Sequence, residues 1–149
     1  MDLTLYFAYG SNLDLAQMQS RCPSARYFAR ATLPRHDLVF RGTSAHWGGA
    51  VASLRPSKTR STSGVLYAMR SADLVGLDYF EGHPRYYRRR LRTVVDERGT
   101  RWAAHVYILP AKLAPVGMPG RKYLEVLALA YGEHGFDIRA LKRAVRRAA

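Results

Sequence analysis

The sequence predicts an α+β fold, a mostly antiparallel sheet or barrel closed off by helices. Strand-like runs fill the first three quarters of the 149 residues, and Gly, Pro, Asn and Asp break them at short intervals. Two amphipathic helical stretches finish the chain. No internal repeat or linker divides it, so residues 1–149 read as one domain, and an apolar fraction of 48% is enough for a core.

Taken in order, residues 3–9 alternate and are rich in aromatics, which predicts a strand. Gly10-Ser11-Asn12 then turns the chain into a helix carrying Leu13, Ala16 and Met18, with Ser11 or Asn12 as its cap and Pro23 as its stop. Residues 25–33 and 38–41 predict two strands separated by Pro34, and residues 50–54 a third after Gly48-Gly49. The polar stretch 58–63 reads as an exposed loop, followed by an apolar strand over 65–69. Ser71 is placed to cap a short helix, with Asp73 at its positive end and Gly82 and Pro84 stopping it. Residues 88–95 and 102–109 predict a hairpin around Asp96-Glu97-Arg98-Gly99. Three prolines mark 110–120 as a loop. Helices are expected over 121–131 and 137–148, the second with Ile138, Leu141 and Val145 on one face.

Composition narrows the function. One cysteine, Cys22, excludes an internal disulfide framework and fits a reducing compartment, so a cytoplasmic location is expected. No apolar run reaches membrane-spanning length, and the short apolar stretch near the N-terminus lacks the basic flank of a signal peptide. The formal charge of +13 is compatible with nucleic acid, an anionic substrate or a solvated surface. Arginine supplies all but four of the basic residues. They are scattered along the chain and no nucleic-acid motif accompanies them, so nucleic acid ranks last as a partner. The five histidines lack metal-ligand spacing, and no phosphate-loop or dinucleotide fingerprint occurs, so neither metal nor organic cofactor is expected.

Glu81 is the leading candidate for chemistry. Leu74, Leu77 and Glu81 fall at i, i+3 and i+7, so the carboxyl continues an apolar stripe. Burial there raises a carboxyl from its ordinary value of about 4.3 towards roughly 6–7, where it can exchange protons near neutral pH. On spacing alone, a last-turn glutamate paired with a nearby arginine is the simpler reading. The turn Tyr9-Gly10-Ser11-Asn12 is the second candidate. A strand running through it into a helix leaves backbone N–H groups free for a carboxylate or oxyanion, although an ordinary capped turn fits equally. On the strand after Glu81, Tyr87, Arg89, Leu91, Thr93 and Val95 share one face, so Tyr87 is expected to turn inward, with Arg88, Arg90 and Arg92 on a solvated face. Tyr107 and Tyr123 are either ligand-positioning or core tyrosines.

Taken together, Tyr6-Phe7-Ala8-Tyr9-Gly10-Ser11-Asn12-Leu13, Gly64-Val65-Leu66-Tyr67-Ala68-Met69 and Leu77-Asp78-Tyr79-Phe80-Glu81-Gly82 resemble the γ-glutamylcyclotransferase-like family. The segment His83-Pro84-Arg85-Tyr86-Tyr87-Arg88-Arg89 extends the likeness, which departs from the family pattern at Ala130-Tyr131-Gly132. The resemblance implies a small mixed or antiparallel β-barrel flanked by helices, with turn and glutamate facing one cavity. It implies Glu81 as catalytic acid/base and Tyr9, Gly10, Ser11 and Asn12 as the substrate-binding turn, flanked by Leu13. Tyr107 and Tyr123 would line the cavity, and Tyr87 is a further substrate-binding candidate. The implied partner is a small γ-glutamyl molecule, converted to 5-oxoproline and a free amine or amino acid without a cofactor. A γ-glutamylamine or protected biosynthetic intermediate, a non-catalytic binding module and a nucleic-acid-binding protein remain as alternatives.

Overall fold

The computed structural model describes residues 3–149. Strand β1 (Leu3–Ala8) carries three consecutive buried residues, Tyr6, Phe7 and Ala8. Consecutive burial means that both faces of this strand are covered. A 3₁₀ turn over Ser11–Leu13 leads into α1 (Leu15–Arg21). The residue that caps α1 is Asp14, whose carboxylate accepts from the Ala16 amide, and not Ser11 or Asn12 as expected. The 3₁₀ turn displaces the helix cap by two or three residues.

The middle of the chain is one long antiparallel hairpin, β2 (Arg26–Ser44) with β3 (Gly49–Arg70). Pro34 does not divide β2. A register shift between Pro34 and His36, with Arg35 at φ 59°, absorbs the missing proline donor as a bulge. Nor is 58–63 a free loop: Ser61, Thr62 and Ser63 pair with Pro34, Leu33 and Thr32. Thr62 is buried, and its hydroxyl donates to the His36 carbonyl at 3.0 Å. The polar run is tolerated because Lys58, Thr59 and Arg60 remain on the surface, where the Ser57 hydroxyl accepts from the Thr59 and Arg60 amides. Further register shifts at Tyr27/Ala29 and Arg41/Ser44 bend the hairpin.

Strands β4 (Arg88–Asp96) and β5 (Arg101–Ile108) form the expected hairpin, with Asp96 accepting from the Arg98 and Thr100 amides in its turn. Strand β4 joins β2 at Ala31↔Asp96 and Thr32↔Val95, and β5 lies parallel to β1 at Tyr6↔His105. These contacts close a mixed barrel in the order β1-β3-β2-β4-β5. Because β4 bonds to β2 only at that end, its middle stands clear of the core. Leu91 is 61% exposed, whereas Val94 is fully buried, opposite to the expected alternation.

Phe7, Phe40, Leu66, Met69 and Val106 are among the residues that fill the core. Gly64 sits where β1 meets β3, and a Cβ there would collide with the Ala8 carbonyl and the Phe7 ring. Helix α2 (Ser71–Glu81) buries Leu74 and Leu77 and ends at Gly82 in the left-handed conformation, φ 70°. Its N-cap position is Arg70, and Ser71 is the first helical residue. The proline-rich segment is anchored to the hairpin by bridges Arg41↔Val116 and Ala50↔Pro119. Helix α3 (Arg121–His134) runs three residues beyond its expected end, and α4 (Arg139–Ala148) buries Leu141 and Ala144. Ile138, expected on that face, precedes the helix and is 38% exposed. Among the described residues, no helix is long and apolar enough to cross a membrane.

Candidate active site

Three elements converge at one end of the barrel: the turn after β1, the last residue of α2 and the first turn of α3. Glu81 arrives there because it extends the Leu74–Leu77 stripe that glues α2 to the core. Its side chain is 14% exposed. Tyr123 arrives because the first turns of α3 bury Tyr123 and Leu127 together. The turn arrives because β1 is locked between β3 and β5.

Asn12 organises the centre. Its amide nitrogen donates to Glu81 Oε1 at 3.1 Å and to the Tyr6 hydroxyl at 3.0 Å. Its side-chain oxygen accepts from Gln17 at 3.0 Å and Arg21 at 3.2 Å, and its carbonyl from the Tyr67 hydroxyl at 2.8 Å. The Arg21 guanidinium also stands 3.7 Å from Glu81 Oε1. Ser11 Oγ accepts from Gln17 at 2.8 Å. The 3₁₀ turn uses the Leu13 and Asp14 amides for its own bonds to Gly10 and Ser11, whereas the Ser11 and Asn12 amides precede the first of these.

The resulting hollow, with a cavity volume of about 30 Å³, has Glu81 and the Tyr9-Gly10-Ser11-Asn12 turn on its wall. Tyr6, Tyr87, Tyr107, Tyr123 and Ala52 complete it. The tyrosines are fixed by the surrounding backbone. Tyr87 donates to the Ala52 carbonyl at 2.6 Å, Tyr123 accepts from the Ala52 amide at 2.8 Å, and Tyr9 donates to the Tyr107 carbonyl. Tyr107 donates to Asp78 at 2.6 Å, and Asp78 accepts from Arg89 Nε at 2.8 Å and Arg89 Nη2 at 3.1 Å. Leu13 is fully buried behind the turn and does not line the hollow. Ser11, Glu81, Tyr87 and Tyr123 also border a wider outer vestibule, where Arg21, His46, Trp47 and Phe80 stand.

Burial dominates the electrostatics. It pushes the Glu81 carboxyl up to about 7, against the opposing pull of Arg21 and of the Asn12 hydrogen bond. Burial likewise raises the phenols of Tyr6, Tyr9, Tyr87, Tyr107 and Tyr123, so all five stay neutral. Cys22 is buried away from this hollow, its thiol raised to about 11 first by burial and then by Asp73, which leaves it protonated at neutral pH. Such a site presents one carboxyl able to take and return a proton near neutrality, surrounded by neutral hydroxyls.

Of the residues singled out from sequence, Glu81, Tyr9, Gly10, Ser11, Asn12, Tyr87, Tyr107 and Tyr123 meet in one hollow, and Leu13 backs it. Sequence reasoning missed Tyr6, Ala52, Gln17 and Arg21. Gln17 and Arg21 carried a usable signal, because their i, i+4 spacing puts both on one face of α1. Tyr131, where the likeness to the family departs, packs against Phe136 with ring centres 5.4 Å apart and does not line the hollow.

The closed mixed barrel thus aims one buried, near-neutral carboxyl into a tyrosine-walled hollow. The family model described as gamma-glutamyl cyclotransferase, AIG2-like, matches residues 6–125, and the chain belongs to that family. The gamma-glutamylcyclotransferase of Homo sapiens is 39% identical over 82 residues, covering 52% of this chain and 44% of the human protein. That of Bos taurus is 38% identical over the same shares. The aligned stretch thus spans less than half the length of these relatives. A solved structure named gamma-glutamyl cyclotransferase superposes with a TM-score of 0.87 at 27% identity, covering 95% of this chain and 86% of that one.

Proposed function

We propose that this chain is a γ-glutamyl cyclotransferase, releasing 5-oxoproline and a free amine or amino acid from a γ-glutamyl donor, with Glu81 as general acid/base. The observation that carries this reading is the Glu81 carboxyl, buried, raised to about 7 and sharing a hollow with the Tyr9-Gly10-Ser11-Asn12 turn. The donor's own α-amine attacks its γ-carbonyl, forming the ring C–N bond. Glu81 removes a proton from that nitrogen and hands it to the departing nitrogen as the original amide C–N bond breaks. Atoms and charge balance without oxidant, reductant or metal.

The carboxyl's value decides whether this is feasible. An α-ammonium group titrates at about 7.7–8.0, so an ordinary glutamate at about 4.3 would face a gap of roughly 3.5 units, near 5 kcal/mol. At about 7 the gap falls to about one unit, roughly 1.4 kcal/mol. The nucleophile is already tethered to the electrophile, so the protein's remaining tasks are to fold the γ-glutamyl arm and to stabilise the oxyanion. In this reading the Ser11 and Asn12 amides, at the start of the turn, are the oxyanion donors, and Tyr87, Tyr107 and Tyr123 position the arm. Gly10 lets the substrate approach the backbone, and Leu13 fixes the turn from behind. The single buried thiol fits work in the cytoplasm.

Incubation with a mixed library of γ-glutamyl amino acids and γ-glutamylamines, followed by mass spectrometry, tests the reading. Release of 5-oxoproline from at least one donor is expected, and the amine released with it identifies the donor class. Failure to release it from every donor would refute the assignment.

A further inference from the structure

Sharing no residue with the Glu81 hollow, a second concavity of about 470 Å³ lies between the β2–β3 hairpin and α4. Arg55 and Arg60 line it from β3, and Arg143, Arg146 and Arg147 from α4. Within it the counter-charge is a single carboxylate, Asp37, already engaged by Arg147 at 3.0 Å and Arg55 at 3.8 Å. Among the described residues, Arg60, Arg143 and Arg146 have no carboxylate partner. Arg143 Nε is buried without any acceptor.

Five guanidinium groups around one carboxylate repel one another, and a buried donor left unpaired costs about 1–3 kcal/mol. Arg147 registers the crowding: burial lowers its value, Asp37 opposes that, and Arg55, Arg143 and Arg60 lower it further. An anion with several oxygens, bound by the exposed guanidinium groups, would relieve the crowding. Guanidinium forks match phosphoryl oxygens bidentately, and the hydroxyls of Ser57 and Thr59 on the same wall add neutral donors. The cleft is open to solvent and lined on two sides by five guanidinium groups, which suits a short run of phosphoryl groups better than one monovalent ion. The field of a chain with net charge +13 further concentrates anions at its surface.

We propose that this arginine-lined cleft binds a small molecule carrying two or three linked phosphoryl groups, at a site separate from the Glu81 hollow. The test is calorimetric titration of the full chain with inorganic tripolyphosphate at low salt, alongside a short single-stranded oligonucleotide. The key variant, R60Q/R146Q, removes two exposed cleft charges that make no ion pair, and R90Q/R101Q removes two exposed charges on β4 and β5 as a control. Saturable one-to-one binding of tripolyphosphate is expected, weakened by about tenfold or more in R60Q/R146Q and by less than about twofold in the control. R143Q should weaken it as well. If the oligonucleotide binds more tightly and is lost in the same variant, the cleft's phosphate chemistry serves a nucleic-acid backbone. Absence of saturable binding, or equal weakening by the cleft and control variants, would overturn the proposal and leave a solvated basic surface.

Discussion

Replacing Glu81 by glutamine is expected to lower the turnover of a γ-glutamyl donor by about 10²–10⁴-fold, the usual contribution of one general acid/base. The substitution keeps the side chain's shape. Its amide oxygen can still accept from Asn12 Nδ2, now at 3.1 Å from Glu81, and Arg21 keeps its bond to the Asn12 side-chain oxygen. What disappears is the group to which the proposed mechanism assigns the proton transfer. The loss should therefore fall on kcat with little change in KM, because the turn and the tyrosines that would hold the substrate are untouched. Parallel measurements of kcat, KM and far-ultraviolet circular dichroism check this. A folded E81Q protein with undiminished turnover would remove Glu81 from the chemistry.

The same substitution should make the protein more stable in mild alkali. In the folded chain the Glu81 carboxyl titrates at about 7, against about 4.3 when unfolded. Between those values the folded state holds a proton that the unfolded state has released. Stability therefore falls as pH rises through this window and levels off above about 7. The full span of roughly 2.7 units corresponds to about 3.7 kcal/mol, an upper figure for one carboxyl. Glutamine carries no such dependence. Urea unfolding should find E81Q close to the parent near pH 4.5 and about 2–3 kcal/mol more stable at pH 8. Equal pH dependence in the two proteins would show that burial does not penalise this carboxylate. Under the proposed mechanism, stability would be given up at the position assigned to proton transfer, a common trade at active sites.

The positions most legible in sequence were those set by short-range periodicity. Leu74, Leu77 and Glu81 share a helical face whatever surrounds them, and the Asp96-Glu97-Arg98-Gly99 turn fixes its hairpin locally. Strands β2 and β3 were read as fragments because Pro34 and the polar stretch 58–63 carry loop signals. Bulges at Pro34/His36 and surface placement of Lys58, Thr59 and Arg60 reconcile both with continuous pairing. The barrel was legible through the family resemblance, but its closure was not legible from local pattern. It depends on β5 meeting β1 at Tyr6↔His105, a contact between residues 99 positions apart that leaves no local pattern. Long-range assembly also explains the missed parts of the site. Tyr6 is an alternating strand residue until Asn12 folds back onto it, and Ala52 matters through its backbone groups. Likewise, five arginines scattered in sequence form a cleft only when α4 packs beside the hairpin.

Carbon-13 labelling of the glutamate carboxyls offers the most direct check of a buried, near-neutral acid in the hollow. The resonance absent from E81Q should titrate with a midpoint of about 7, displaced by the burial that outweighs Arg21 and Asn12. A midpoint near the ordinary value of about 4.3 would contradict the account, because a carboxylate of that strength could not share a proton with the attacking amine at neutral pH.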